Sequence, residues 1–176
     1  MLLAGFVLHV NKSYELLCAP HSRNSNPHSH FAQSAACSLG FVSLKKVVLP
    51  RMKNDIVDVM NACIDGRLDE IDLQFEDNAA VCVVLASDGY PLQYEKGKVI
   101  TGFENFEGKD GYYVFHAGTK FDADGNIVTN GGRVLGVTAK GKDLKEARQN
   151  AYAATEWISF ENKYMRHDIG KAIDEA

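Results

Sequence analysis

No apolar run in the sequence approaches the 18 residues that a membrane-spanning helix needs, so the chain is not predicted to enter a membrane. Basic residues are outnumbered by acidic ones, 19 to 23, and the net charge is −4. This balance provides no basic surface of the kind that binds nucleic acid. What remains is a chain of 176 residues with 45% apolar content, enough for one packed domain with or without an appendage.

Cysteine is also scarce. The four residues are Cys18, Cys37, Cys63 and Cys82, and no two of them form a Cys-x-x-Cys pair. Such sparse usage suits a reducing compartment, so we expect free thiols and a cytoplasmic protein. The sequence also lacks a metalloprotease motif, a nucleophile elbow and a Walker phosphate loop. It therefore nominates no catalytic residue and no metal site.

The first part of the chain is rich in Ser, Asn, His and Pro and shows neither a helical nor a strand period. Such a segment buries too little apolar surface to offset its ordering entropy, so residues 1–46 are predicted to be a loosely ordered leader. The segment contains Cys18, His21, His28, His30 and Cys37. Their spacing matches no standard zinc-ligand pattern, and incidental clustering in a polar segment is the better interpretation.

Two helices are predicted in the remainder of the chain. Asn54 is expected to cap a short amphipathic helix that ends at Gly66. Near the end of the chain, Asp143 and Glu146 form an acidic capping pair that predicts a helix of about four turns. Apolar residues recur on one face of each helix, so each helix is predicted to pack against another surface.

Between the two helices the sequence predicts an antiparallel sheet. Residues 79–87 form a continuous apolar, β-branched run that is typical of a buried strand. Hairpin turns are predicted after Phe121 and after Thr129, which would make the strands a meander. The further predicted strands lie within residues 99–103, 112–121, 126–129 and 133–139. The predicted fold is therefore α+β, with a small antiparallel sheet packed against a C-terminal helix.

The loop Asn130-Gly131-Gly132-Arg133 allows two interpretations. The backbone N–H groups of a glycine-rich turn can bind an anion, and an adjacent arginine can bind phosphate through two parallel hydrogen bonds. Tight hairpins, however, use Asn-Gly for backbone reasons alone, so the loop in isolation favours a plain turn. His116 ends an apolar strand, and we interpret it as a hydrogen-bonded structural residue, with a catalytic role as the alternative.

Five blocks of the sequence resemble, in order and spacing, the C-terminal end of the phosphoribosylamine–glycine ligase family, also called glycinamide ribonucleotide synthetase. The blocks span about residues 48–173 and read LPRMKNDIVDVMNACIDGRL, AAVCVVLASDGYPLQYEKGKVITG, VFHAGTK, VTNGGRVLGVTAKGKDLKEARQNAYA and RHDIG. Members of this family are ATP-grasp ligases of purine biosynthesis. The resemblance implies that glycine and 5-phosphoribosylamine are joined with cleavage of ATP, and that the complete enzyme uses ATP and Mg²⁺.

The resemblance also implies a domain division and a substrate site. It assigns residues 47–78 to the tail of an ATP-grasp domain, including its remnant helix, and residues 79–176 to a C-terminal domain of the barrel-sandwich-hybrid type. It implies that the glycines of the loop adopt positive φ and let the backbone approach a ligand closely. The residues that it implies for binding the phosphoribosyl group are Asn130, Gly131, Gly132, Arg133, His116 and Thr119.

The departures from the family pattern matter as well. Immediately before LPR the family carries E-x-N-x-R-F-G-D-P-E, whose Glu and Asn hold magnesium, whereas this chain reads AACSLGFVSLKKVV. We therefore expect a C-terminal fragment that binds neither ATP nor metal alone, is inactive alone and pairs with an ATP-grasp half. Asp88 and Leu92 replace glycines of the family in the loop after the first long strand. The alternative is a non-catalytic binding or regulatory module that reuses the fold.

Overall fold

A computed structural model describes residues 7–8 and 45–171. The described chain forms a five-stranded antiparallel sheet with a helix packed against it and a separate two-stranded sheet, which confirms the α+β prediction with its antiparallel sheet and C-terminal helix. The strands are β1 (Val7–Leu8), β2 (Ala79–Ser87), β3 (Tyr112–His116), β4 (Thr119–Phe121), β5 (Ile127–Thr129), β6 (Arg133–Gly141) and β7 (Lys163–Tyr164). The helices with both ends described are α1 (Ile56–Ile64) and α2 (Leu144–Thr155), and residues 45–48 are also helical.

Strand β6 lies at the centre of the larger sheet, whose order is β1-β2-β6-β3, with β7 pairing with the end of β2. Leu135 of β6 stands opposite Leu85 of β2 on one side and opposite His116 of β3 on the other. An irregularity after Leu85 shifts the register, so that Ala86 faces Arg133. A bulge of this kind increases the local twist and redirects side chains, and here it falls beside the predicted substrate loop.

Helix α2 covers one face of this sheet. Its buried residues are small, namely Ala147, Ala151, Ala154 and Thr155, so the helix backbone comes close to the strands. The approach is tightest at Gly141, where a Cβ would lie 2.3 Å from the backbone nitrogen of Ala147. The core beneath the helix consists of two clusters, one with Leu85, Ile100, Val134, Leu135, Val137, Ala154, Ile158 and Phe160, the other with Ala79, Val81, Val83, Ala139, Ala147, Ala151 and Ile169.

The helix starts follow local sequence signals. The Asp143 carboxylate accepts from the N–H of Glu146 at 2.8 Å, and the Glu146 carboxylate accepts from the N–H of Lys142 at 2.8 Å, which confirms the predicted capping pair. In α1 the cap is Asp55, whose carboxylate accepts a first-turn N–H at 2.7 Å. The prediction of Asn54 as the cap is wrong, because its side chain bonds instead to the chain at residues 72–74.

The predicted meander is wrong, because β6 lies between β2 and β3 and does not pair with β5. The turn after Phe121 does close a hairpin, between β4 and β5. The segment after Thr129 connects the two sheets instead, and neither Gly131 nor Gly132 has a positive φ. The long-range pairing partners of β6 bury it on both sides, and no feature of the loop sequence specifies them.

The strand predicted over residues 99–103 is also wrong. The segment makes only isolated bridges, at Val99 and Thr101, and continues into the 3-10 turn Phe103–Phe106. Gly102 has φ +96°, and a Cβ there would lie 1.8 Å from the carbonyl oxygen of Trp157. A left-handed residue interrupts extended backbone, and here it also lets another part of the chain pack directly on it.

Most of the predicted leader lies outside the described residues, including Cys18, Cys37 and the neighbouring histidines. Two of its residues form β1, which pairs with β2 at Ala80 and Val81. The described cysteines, Cys63 and Cys82, are both free, as predicted. Among residues 7–8 and 45–171, no helix is long and apolar enough to cross a membrane.

Helix α1 buries little of its surface. Ala62 is its buried residue, whereas Val57 and Met60 are each 57% exposed and Ile64 is 82% exposed. These three apolar residues follow one another at three- and four-residue steps, so they lie along one stripe of the helix. The stability of the described fold therefore rests on the sheet and α2 rather than on α1.

Two isoleucine substitutions test this division. Ile158→Ala is expected to lower the free energy of unfolding by about 2–5 kcal/mol, because Ile158 is fully buried in the core cluster beneath α2. Ile64→Ala is the matched control and should change it by less than about 0.5 kcal/mol, because the side chain is mostly in solvent. Urea titrations followed by circular dichroism measure both. Equal losses in the two variants would show that α1 is packed as tightly as the core.

Candidate functional site

Two loops meet at the Arg133 end of β6, one formed by residues 116–119 and the other by residues 130–133. The N–H of Gly118 donates to the carbonyl oxygen of Arg133 at 2.8 Å, and the N–H of Asn130 donates to the carbonyl oxygen of Gly118 at 2.7 Å. A Cβ on Gly118 would lie 2.7 Å from the Cα of Gly131. All six residues predicted for the substrate site therefore belong to one backbone-bonded unit.

The loop at residues 130–133 is fixed from its other side by the end of β2. The N–H of Ser87 donates to the carbonyl oxygen of Gly132 at 2.9 Å, and the Ser87 hydroxyl donates to that of Gly131 at 3.3 Å. The ring of Tyr90 lies directly on Gly132, where a Cβ would be 1.8 Å from the ring carbon Cδ2. The glycines are thus required by close packing, and the expectation that they adopt positive φ is wrong.

The hydrogen bonding of the N–H groups of Gly131 and Gly132 is a further property of this loop. Neither donates a hydrogen bond to an acceptor in the part of the chain that the structure describes. Gly132 is buried, and a buried N–H without a partner is costly. Two successive unpaired N–H groups beside an arginine form the kind of backbone arrangement that binds anions.

His116 and Thr119 form a second polar pair in the site. The Nδ1 atom of His116 lies 3.0 Å from the Thr119 hydroxyl oxygen, which confirms the interpretation of His116 as a hydrogen-bonded residue. The imidazole ring stacks on Phe103 with a centroid distance of 5.3 Å, and its side chain is exposed. The pair can therefore offer one ring nitrogen and one hydroxyl to a ligand from a fixed position.

Lys46 is a residue of this region that the sequence did not indicate. A Cβ on Gly136 would lie 2.7 Å from the Lys46 amine and 3.1 Å from the sulfur of Cys82, so both side chains lie against β6. Burial is the main cause that lowers the pKa of the Lys46 amine; Arg133 and Lys45 lower it further, and Cys82 acts in the opposite direction. The sequence offers no signal that separates Lys46 from Lys45, because only folding brings one of them to β6.

The described residues do not fit the magnesium ions that the family resemblance implies. In residues 7–8 and 45–171, no group of three or more His, Cys, Asp or Glu side chains could hold a metal ion. Arg133 belongs to the second loop, and the amine of Lys46 lies against Gly136, three residues further along β6. This part of the chain is therefore suited to binding an anionic group.

A second positively charged region lies at an open cleft of about 530 Å³ near the end of the described chain. Its two arginines are already engaged, since the Arg148 Nε donates to the carbonyl oxygen of Ile169 at 2.7 Å and Arg166 pairs with Asp168. The remaining lining residues are Tyr164, Met165, His167 and Lys171. The cleft is consequently a weaker candidate than the loops at Arg133.

Comparison with known proteins gives a consistent assignment. Residues 80–172, a little more than half of the chain, match the model of the family described as phosphoribosylglycinamide synthetase, C domain. The chloroplastic phosphoribosylamine–glycine ligase of Arabidopsis thaliana is 48% identical over 126 residues, which are 71% of this chain and 24% of that protein. The ligase of Rhodopirellula baltica is 47% identical over 123 residues, 69% of this chain and 28% of that protein.

A solved structure is similar as well. The crystal structure of phosphoribosylamine–glycine ligase from Thermotoga maritima matches with a TM-score of 0.51 and 39% identity, over 62% of this chain and 27% of that one. The chain thus spans about a quarter of the length of these relatives. Since the family match covers more than half of the chain, including helix α2, both loops of the site and the sheet apart from β1 and the first residue of β2, the chain belongs to the phosphoribosylglycinamide synthetase C-domain family.

Proposed function

We propose that the chain supplies the C-terminal part of a phosphoribosylamine–glycine ligase, which joins glycine to 5-phosphoribosylamine while ATP is cleaved to ADP and phosphate. The observation that carries the proposal is the family match over residues 80–172, which runs through both loops of the site. Relatives 46–48% identical to this chain bear the name of that ligase. In this proposal ATP and Mg²⁺ bind to the ATP-grasp half of the enzyme, and that half is the partner of this chain.

The domain division is part of the proposal. Residues 79–176 are the C-terminal domain, of the barrel-sandwich-hybrid type, and residues 47–78 are the tail of an ATP-grasp domain with α1 as its last helix. The Arabidopsis match, at 126 residues, is longer than the family match, and four residues at most follow position 172. The similarity therefore extends upstream of residue 80, which supports including the α1 region in the ligase.

The loop at residues 130–133 has the role of binding the phosphate of phosphoribosylamine. The unpaired N–H groups of Gly131 and Gly132 and the exposed guanidinium of Arg133 support this role, because each favours an anionic ligand. His116 and Thr119 offer polar contacts to the same substrate from the adjoining loop.

A cytoplasmic location remains a prediction, and one relative is named as chloroplastic.

One observation favours a second function. Asp88 and Leu92 stand in the loop after β2 at positions where the family resemblance implies glycine, and Leu92 is 87% exposed. A non-catalytic binding or regulatory module would retain the phosphate loop without the metal chemistry. Such a module would bind a sugar phosphate and show no turnover in any combination with ligase domains.

The purified chain of 176 residues is expected to show no ligase turnover. Phosphoryl transfer from ATP requires groups that hold the metal ions in advance, and the described residues contain no group of three or more His, Cys, Asp or Glu side chains that could do so. The assay measures ADP released in the presence of Mg²⁺, ATP, glycine and phosphoribosylamine, with the Thermotoga maritima ligase as the positive control. ADP release that depends on both glycine and phosphoribosylamine would contradict this expectation.

A chimaera tests the assignment of the loop. When residues 80–172 replace the matching segment of the Thermotoga maritima ligase, ligase activity should be retained. Arg133→Ala in the chimaera should then lower kcat/KM for phosphoribosylamine about tenfold or more, the effect of losing a charge-assisted hydrogen bond. Lys145→Ala, which removes an exposed cation on α2, is the control and should leave kcat/KM unchanged.

The outcomes of this experiment separate the two functions. An active chimaera with an unaffected Arg133→Ala variant would remove Arg133 from the substrate site. A folded but inactive chimaera would favour the binding module, since the family fold would then be present without the ligase role.

A further inference from the structure

The backbone of Lys46 is anchored by a hydrogen bond from Thr138 and by the buried side chain of the next residue, Val47. The Thr138 hydroxyl donates to the carbonyl oxygen of Lys46 at 3.0 Å, and the side chain of Val47 is 1% exposed in a cluster with Ala80 and Cys82. This backbone is therefore fixed against the face of the sheet that carries Cys82.

The side chain of Lys46 extends from this anchor along β6. The backbone carbonyl oxygen of Lys46 accepts a hydrogen bond from Thr138, whereas the side-chain amine lies against Gly136, which is two residues nearer to Arg133. Only a glycine leaves room for the amine, because a Cβ at position 136 would be 2.7 Å from the nitrogen. The direction of the side chain thus brings its charge toward the end of β6 where the loop at residues 130–133 begins.

Within the described residues, Lys46 and Arg133 carry like charges and no carboxylate pairs with either of them. The Lys46 amine lies at Gly136, on the strand that begins at Arg133, and the positive charge of Arg133 adds to burial in lowering the pKa of Lys46. A partly buried amine beside a guanidinium is unfavourable, and a bound anion would relieve both the repulsion and the desolvation.

We propose that Lys46 is a second phosphate-binding residue, and that a sugar phosphate bound at the loop of residues 130–133 places its phosphate between the Lys46 amine and the Arg133 guanidinium. This inference rests on the proposed function and extends it, since it assigns a residue upstream of the matched C domain to the substrate site. The ligand class is a phosphate monoester on a ribose, because a dianion satisfies two adjacent cations and the free N–H groups of the loop.

The test uses the whole chain and ribose 5-phosphate, with the amide resonances of residues 130–133 followed by nuclear magnetic resonance during the titration. Lys46→Met should weaken binding about tenfold, the loss expected for one charge-assisted hydrogen bond. Lys46→Arg should restore most of the affinity, because the charge is kept. Lys45→Met is the matched control: Lys45 is exposed, and its removal should change the Kd by less than about threefold.

Gly136→Ala provides an independent variant that keeps the charge. Its Cβ would displace the Lys46 amine, the flexible end of a side chain, so affinity should fall while the fold, measured by circular dichroism, is retained. If Arg133→Ala weakens binding while Lys46→Met and Gly136→Ala do not, the inference about Lys46 is overturned and the proposed loop stands. If ribose 5-phosphate does not bind the parent chain saturably, or Arg133→Ala has no effect, the phosphate loop itself fails and the role of Lys46 with it.

Discussion

Strand β6 is hydrogen-bonded along both edges and covered on both faces, and the rest of the structure depends on these contacts. Strands β2 and β3 pair with its edges, helix α2 packs on one face, and Lys46 with Val47 packs on the other. Gly136 and Gly141 have no side chains, so Lys46 packs closely on one face of β6 and helix α2 packs closely on the other. A central strand of this kind is extended and rigid, so the loop that leads into it enters the sheet in a fixed direction.

This rigidity explains the character of the candidate site. The loops at residues 116–119 and 130–133 bond to each other through Gly118, and Ser87 and Tyr90 hold the second loop from the opposite side. Backbone N–H groups that are fixed before a ligand arrives bind an anion without a further ordering cost. The glycines contribute by allowing these close approaches, and a side chain at position 118 or 132 would separate the parts of the site.

The chain matches about a quarter of the length of ligases such as that of Arabidopsis thaliana. In the proposed function the cations Arg133 and Lys46 bind a phosphate, whereas no group of side chains that could hold a metal ion is found among the described residues. The exposed apolar stripe of α1 at Val57, Met60 and Ile64 belongs to the region upstream of the C domain. Site and stripe together fit a proposed role as one part of a larger ligase.

The sequence alone determined three local elements, namely the capping pair at Asp143, the buried strand at residues 79–87 and the hairpin after Phe121. It also determined the family. These depend on neighbours within a few residues, or on motifs whose spacing is preserved along the chain. Only the tertiary structure decided that β6 lies between β2 and β3, that residues 99–103 are not a strand, and that Lys46 lies beside Gly136. Each of these depends on contacts between residues far apart in sequence, since packing against a distant strand overrides local turn and strand preferences.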